Sequence, residues 1–198
     1  RKNLRQALSN LRKAIGDHER QPPYLEITRE TVQFSGSPDI LDSAKFQNLI
    51  ETVDRHPHRR VESCRYCAGS LQQAVDLYRG DFLQGFFLDG SAAFQDWMLL
   101  KRERFHRQAV QALTVLTGFY EQRGEYDLAL RCAYPQVEMD PWRELGYQSL
   151  MRLLALKGER GAALKQYEKC KIILEEELGV PPSPDTERIY QQIQTNSQ

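Results

Sequence analysis

Two histidines and two cysteines near residue 60 have the types and the spacing of a metal site. The segment runs His56-Pro-His58, then five residues, then Cys64-Arg-Tyr-Cys67. Imidazole nitrogens and thiolates are the ligands that zinc prefers, and four of them would complete a tetrahedral structural site. A helix carrying both cysteines meets the histidines only if the preceding loop folds back onto that helix. The spacing alone does not supply that fold.

The same cysteines also fit an apolar helical stripe. The apolar positions that recur at helical spacing are Cys64, Cys67, Leu71, Val75 and Tyr78. Small thiols in such a stripe are typical of a hydrophobic core, and the histidines would then lie in a basic loop. We therefore expect core cysteines and no bound metal. No βαβ pattern surrounds the two cysteines, which argues against a redox site.

The first fifteen residues contain a second pattern with chemical potential, an amphipathic helix that ends near Gly16. Leucines and an isoleucine recur at helical spacing and predict one buried stripe. The other side carries no carboxylate. Its polar residues are Lys2, Asn3, Arg5, Gln6, Ser9, Asn10, Arg12 and Lys13.

Such a polar face has the composition that reading a DNA groove requires. Arginine and lysine donate to guanine or neutralise phosphates, and asparagine or glutamine pairs with adenine. The candidates for base edges are Gln6, Ser9 and Lys13, with Asn3 and Asn10 at the margin. Arg1, Arg5 and Arg12 suit phosphates, as does Arg29 further along the chain. An ordinary solvated face explains the same pattern, since charged faces are common.

A short β-hairpin should follow this helix. Residues 24–28 and 31–34 alternate in polarity and are rich in β-branched and aromatic side chains. The intervening Arg29-Glu30 is not a typical hairpin turn, so we expect the strands to hold the hairpin more than the turn does. Residues 35–39 are polar and rich in turn formers, and we place a domain junction between residues 36 and 37.

Beyond the junction, every pattern indicates helices. Residues 91–122 predict one long helix or two abutting ones. Gly124, Ala129 and Leu130 recur 34 residues later as Gly158, Ala163 and Leu164, which is the period of tetratricopeptide helix pairs. A last short helix over residues 185–193 should cap the repeat. The predicted fold class is mainly α, a tetratricopeptide-like helical repeat domain.

Composition excludes several classes of protein. The chain has 198 residues, and 27 basic residues balance 27 acidic ones, so any affinity for nucleic acid must come from local segregation of charge. No apolar stretch could cross a bilayer, and no signal peptide opens the sequence. Four cysteines are too few for a disulfide scaffold, so we expect a cytoplasmic protein with reduced thiols. The chain starts without Met inside a helical pattern, and we expect it to be a fragment.

Catalysis finds no support in the sequence. We find no glycine-rich phosphate loop, no H-E-x-x-H and no G-x-S-x-G motif. The four histidines have no recognisable partnership with a serine, cysteine or aspartate nucleophile or acid. We predict no enzymatic activity and no cofactor.

Five blocks of sequence together resemble the bacterial transcriptional activator domain of SARP-type regulators. They are LYRGDFLQGF at 77–86, FQDW at 94–97, DPWRE at 140–144, LMRLL at 150–154 and ELGVPPSPDT at 177–186. The resemblance spans about residues 40–193. In that family the domain follows a response-regulator-type winged helix. Residues 3–15 look like its recognition helix and residues 24–34 like its wing, although the preceding strands and two helices are absent here.

The resemblance implies a transcription regulator. Residues 1–36 would finish a winged-helix DNA-binding domain, and residues 37–198 would form the tetratricopeptide-like activator domain. Its partners would be double-stranded DNA, a second copy of the chain and a protein such as the transcription machinery, with no membrane. The alternative is a protein-binding helical scaffold without a DNA role. A metal-dependent switch is a third class, which stoichiometric zinc would support.

Overall fold

The computed structural model describes residues 2–37 and 40–195, most of them in helices. The helices are α1 Lys2–Ala14, α2 Asp42–Arg55, α3 Arg65–Leu77, α4 Ala92–Gln122, α5 Tyr126–Met139, α6 Glu144–Leu156, α7 Arg160–Ile173 and α8 Pro184–Thr195; the strands are β1 Leu25–Ile27 and β2 Val32–Phe34. The chain forms two compact units, Arg1–Lys45 and Phe46–Gln198. The predicted mainly α fold class with an N-terminal hairpin is confirmed. Two residues of the predicted junction, 38 and 39, lie outside the described residues.

The first unit contains α1 and the hairpin. Helix α1 stops before Gly16, whose φ of 67° lies in the left-handed region that glycine adopts at low cost. Strands β1 and β2 pair antiparallel, with Leu25 opposite Phe34. The turn contributes more than its sequence suggested. The Thr28 hydroxyl accepts the amide of Thr31 at 2.9 Å, and the amide of Thr28 donates to the Thr31 carbonyl at 2.9 Å.

The leucine stripe of α1 is exposed, which corrects the prediction of a buried stripe. Leu4 is 62% exposed and Leu11 is 44% exposed. In its described part, the first unit has one complete helix and two three-residue strands, which is too little structure to cover this face. The amphipathic pattern is correct, but the surface that would cover the stripe is not supplied within the unit.

The core of the second unit forms where α2, α3 and α4 meet. Phe46 and Ile50 of α2 pack with Leu71 of α3 and with Phe105 and Leu116 of α4. Helix α4 is a single helix of 31 residues, about 46 Å long at 1.5 Å per residue. Of the two arrangements predicted for residues 91–122, the unbroken helix is therefore the observed one.

The 34-residue repeat corresponds to the helix pairs α4–α5 and α6–α7. Gly124 and Gly158 have φ of 71° and 79° and turn the chain between the helices of each pair. Ala129 and Ala163 are fully buried, so a small side chain at this place allows close helix packing. The predicted tetratricopeptide-like repeat is confirmed.

Side-chain hydrogen bonds connect the C-terminal helix α8 to α6 of the repeat. Glu144, at the start of α6, accepts hydrogen bonds from the Ser183 amide at 2.9 Å, the Ser183 hydroxyl at 2.8 Å and the hydroxyl of buried Thr186. Gln148, one turn later in α6, donates to the Thr186 hydroxyl at 2.9 Å. This network explains the serine directly before α8 and the buried threonine in the first turn of α8.

None of the described helices combines the length and the apolar character that crossing a bilayer requires.

Candidate nucleic-acid interface

Helix α1 presents its polar side chains to solvent. Asn3, Arg5, Gln6, Asn10 and Lys13 are exposed, and Ser9 is half-buried. The side chain of Lys2 and the whole of Arg1 lie outside the described part of the chain. The helix contains no acidic residue, and Arg12 and Lys13 in its last turn complement the negative end of the helix dipole. The result is a positive, accessible helix surface.

Two amides on this surface are held in place by each other. The Nε2 of Gln6 donates to Oδ1 of Asn10 at 3.0 Å, one turn further along the helix. Within residues 2–37 and 40–195, the Gln6 oxygen and the Asn10 NH2 group make no further hydrogen bond, and both can face a base edge. The pair therefore presents one acceptor and one donor in a defined orientation.

Arg12 joins α1 to the hairpin. Its Nε lies 3.0 Å from Oδ2 of Asp17, and its Nη2 donates to the carbonyl of Leu25 at 3.0 Å. Asp17 is buried, and its other oxygen accepts the amides of Tyr24 and Leu25. One buried carboxylate thus connects the end of the helix with the start of β1. Sequence reasoning missed this contact, although an acidic residue directly after Gly16 was the available signal.

Two exposed arginines lie in the hairpin turn and in the loop that precedes β1. Arg29 lies in the turn between β1 and β2, next to Glu30. Arg20, which the sequence analysis did not select, stacks its guanidinium over the ring of Tyr24 at 4.2 Å. Tyr24 in turn stacks on Phe34 of β2, with ring centroids 5.7 Å apart.

The second unit brings the histidines and cysteines together. The loop after α2 folds back so that Nδ1 of His56 lies 3.7 Å from Cys64 Sγ and 3.5 Å from Cys67 Sγ. Nδ1 of His58 lies 3.6 Å from Cys67 Sγ. The ligand atoms of His56, Cys64 and Cys67 are all within 4.8 Å of one another. The loop geometry that the spacing alone could not supply is present.

The two thiols lie in different environments. Cys67 is buried and packs in the core, as the helical stripe predicted, and burial raises its pKa to about 11. Cys64 is half-buried at the start of α3, and a hydrogen bond from the Cys67 amide lowers its pKa. The ring of His56 also stacks on Tyr66 at 4.8 Å, which holds the imidazole against the start of α3.

Comparison with known proteins decides the family. The sequence profile of the bacterial transcriptional activator domain matches residues 41–194, which is most of the chain. This chain belongs to that family. The bacterial transcriptional activator domain thus begins beside α2 and ends within α8, and the chain is part of a transcriptional activator family.

Structural comparison agrees with this assignment. Mycobacterium tuberculosis EmbR, solved in complex with a low-affinity phosphopeptide, superposes with a TM-score of 0.67 at 19% identity. The match covers 97% of this chain and 49% of that chain, so the chain spans about half the length of EmbR. At this identity the likeness shows a shared fold. A search of curated proteins finds no matching relative.

Proposed function

We propose that this chain is part of a cytoplasmic, non-catalytic transcription regulator in which α1 and the hairpin bind double-stranded DNA and the activator domain makes protein contacts. The observation that carries the proposal is the carboxylate-free, exposed polar face of α1, joined to the hairpin through Arg12 and Asp17. A helix held rigidly by a hairpin can enter a major groove while the hairpin lies against the backbone.

The roles within this interface follow from charge and geometry. Gln6 and Asn10 read base edges, since their amides are already oriented, with Asn3, Ser9 and Lys13 beside them. Lys2, Arg5 and Arg29 neutralise phosphates. Arg12 has a positioning role in this proposal, because its guanidinium already faces Asp17 and the Leu25 carbonyl.

Substitutions on α1 should separate affinity from specificity in the full-length protein. Arg5→Ala removes one phosphate contact, so binding should weaken for all sequences and the salt slope should fall by about 1. Gln6→Ala should reduce the free-energy difference between the preferred base and the other bases at one position by about 1–3 kcal/mol, with little change in the salt slope. Both quantities come from DNA titrations at several salt concentrations with a set of operator variants.

An exposed arginine of the second unit provides the control. Arg107→Ala in α4 makes the same change of charge and should leave the salt slope and the base preference of DNA binding near those of the parent. The DNA role of α1 is rejected if the Arg5→Ala and Gln6→Ala proteins bind like the parent at every salt concentration.

An exposed apolar surface of the second unit favours protein contacts. Phe87 is 67% exposed and Leu100 is 73% exposed, near an aromatic cluster in which Phe94 contacts both Phe86 and Trp97. Exposed apolar residues grouped in this way are typical of interaction sites. We propose that this surface mediates self-association, which would bring two DNA-binding units to high effective concentration. A surface of this kind also suits the alternative, a protein-binding scaffold without a DNA role.

A charge placed on this surface should weaken self-association. Phe87→Glu is expected to raise the dimer dissociation constant at least about tenfold, because truncating an apolar anchor costs more than about 1 kcal/mol and the carboxylate must be desolvated. Sedimentation equilibrium measures the constant. Gln111→Glu, an exposed substitution in α4, is the control for added charge. Unchanged association of the Phe87→Glu protein would exclude this surface, and a protein that associates normally but never binds DNA would favour the scaffold.

A further inference from the structure

The donor atoms of His56, Cys64 and Cys67 have the separations of a metal coordination shell, and Nδ1 of His58 comes close to Cys67. The three sulfur–nitrogen distances in this cluster are 3.7, 3.5 and 3.6 Å. In tetrahedral zinc, with Zn–S of about 2.3 Å and Zn–N of about 2.0–2.1 Å, a sulfur and a nitrogen lie about 3.5–3.6 Å apart. The observed separations therefore match those of a sulfur and a nitrogen bound to one zinc ion.

Thiol–imidazole hydrogen bonds alone do not account for these contacts. Nδ1 of His56 lies close to two sulfurs, yet a neutral ring nitrogen has either one proton or one lone pair. Cys67 Sγ also lies close to two ring nitrogens, and as a thiol it could donate to one of them and accept weakly from the other. One cation between His56, Cys64 and Cys67 would instead accept an electron pair from each of these three residues at once.

We propose that His56, His58, Cys64 and Cys67 bind one zinc ion in a structural site between the end of α2 and the start of α3. His56, Cys64 and Cys67 form the converging set, and His58 joins it beside Cys67 as the fourth ligand. Two thiolates and two imidazoles are a common tetrahedral zinc set, and the two thiolates neutralise the ion. This site is independent of the proposed DNA interface.

The proposed site lies at an accessible surface. Arg59 and Arg60 line a shallow depression together with His58 and Cys64. Bound zinc would further fix the loop between α2 and α3, in which Val61–Ser63 form a three-residue helical turn and the Ser63 hydroxyl donates to Gln122 of α4.

The test is the metal content of untagged protein purified without chelators. We expect about one zinc per chain by elemental analysis, because the four donors complete a closed site. Cys64→Ser and His56→Asn should each weaken zinc binding more than about a hundredfold, since even the loss of a ligand's hydrogen-bond partner costs 10–100-fold. Cys170→Ala, a buried thiol of α7, is the matched control and should retain the metal.

A second measurement does not depend on how well the variants fold. Wild-type protein stripped of metal and loaded with Co²⁺ should show the visible absorption bands of tetrahedral cobalt with thiolate ligands. His58→Asn should keep the thiolate charge-transfer band and bind Co²⁺ at least about tenfold more weakly. An unchanged affinity of this variant would remove His58 from the site. Three results would overturn the proposal. Wild-type protein would contain no zinc and take up no cobalt, wild-type protein would contain iron in place of zinc, or the Cys64→Ser protein would retain zinc.

Discussion

Asp17→Ala is expected to destabilise the first unit by about 3 kcal/mol. The substitution leaves the Arg12 guanidinium without its counterion, and it leaves the amides of Tyr24 and Leu25 without their carboxylate acceptor. Breaking a buried ion pair from one side costs about 3–5 kcal/mol, and the lower end applies here because the Arg12 side chain is 32% exposed. Hydrogen exchange of the Leu25 amide should accelerate by about two orders of magnitude, since each 1.4 kcal/mol is a factor of ten.

A neighbouring acidic residue gives the control. Glu19 lies in the same helical turn as Asp17 and is exposed, so Glu19→Ala changes the charge without removing a buried partner. Unchanged protection of Leu25 in the Asp17→Ala protein would show that Arg12 and Asp17 do not hold α1 against the hairpin. The proposed positioning role of Arg12 would then be rejected as well.

Glu144→Ala should destabilise the second unit by about 3 kcal/mol and free α8 first. The Glu144 carboxylate accepts from the Ser183 amide and from the hydroxyls of Ser183 and Thr186. Hydrogen bonds to a charged group contribute about 1.5–3 kcal/mol, and the buried Thr186 hydroxyl would keep only Gln148 and Ser183 as neighbours. For a unit of this size, 3 kcal/mol corresponds to a fall in Tm of about 6–12 °C.

Calorimetry with two further variants makes this test specific. Glu144→Gln retains an oxygen acceptor without the charge and should lose less stability than Glu144→Ala. Glu138→Ala, at an exposed position of α5, should leave Tm near that of the parent. Equal Tm values for Glu144→Ala and Glu138→Ala would show that the network does not hold α8.

The fold of the second unit could be predicted because its signals are local. Gly124 and Gly158 need left-handed backbone, and Ala129 and Ala163 need to be small, so each position restricts its own residue type. The period of 34 residues follows from repeating those restrictions. The family blocks reinforced the same assignment, because they fall on or beside these helices.

The missed features depend on how separate elements fold against one another. Thr186 meets Glu144 across 42 positions, and nothing in either local pattern marks the pair. Arg12 was selected by its type, whereas its partners became visible only once the hairpin had folded beside α1. The exposed α1 stripe has the same cause, since helical spacing defines an apolar face but not the surface that covers it.

The candidate metal cluster combines a feature that could be predicted from the sequence with one that could not. Cys67 lies in the core as its helical spacing predicted, while the return of the loop that brings His56 and His58 depends on the packing of α2 against α3. The DNA-binding assignment of α1 stays a prediction, because surface side chains show their role only with a bound partner.

The unbroken length of α4 has a consequence for how the second unit melts. Its middle turns complete the core with α2 and α3, and Tyr120 near its end packs against both that core and the one formed by α5 to α8. Loss of this one helix would expose the apolar interior on both sides together. A partly melted form that keeps only one of the two cores would therefore be poorly populated, and we expect both cores to unfold together even where the terminal helix α8 opens before them.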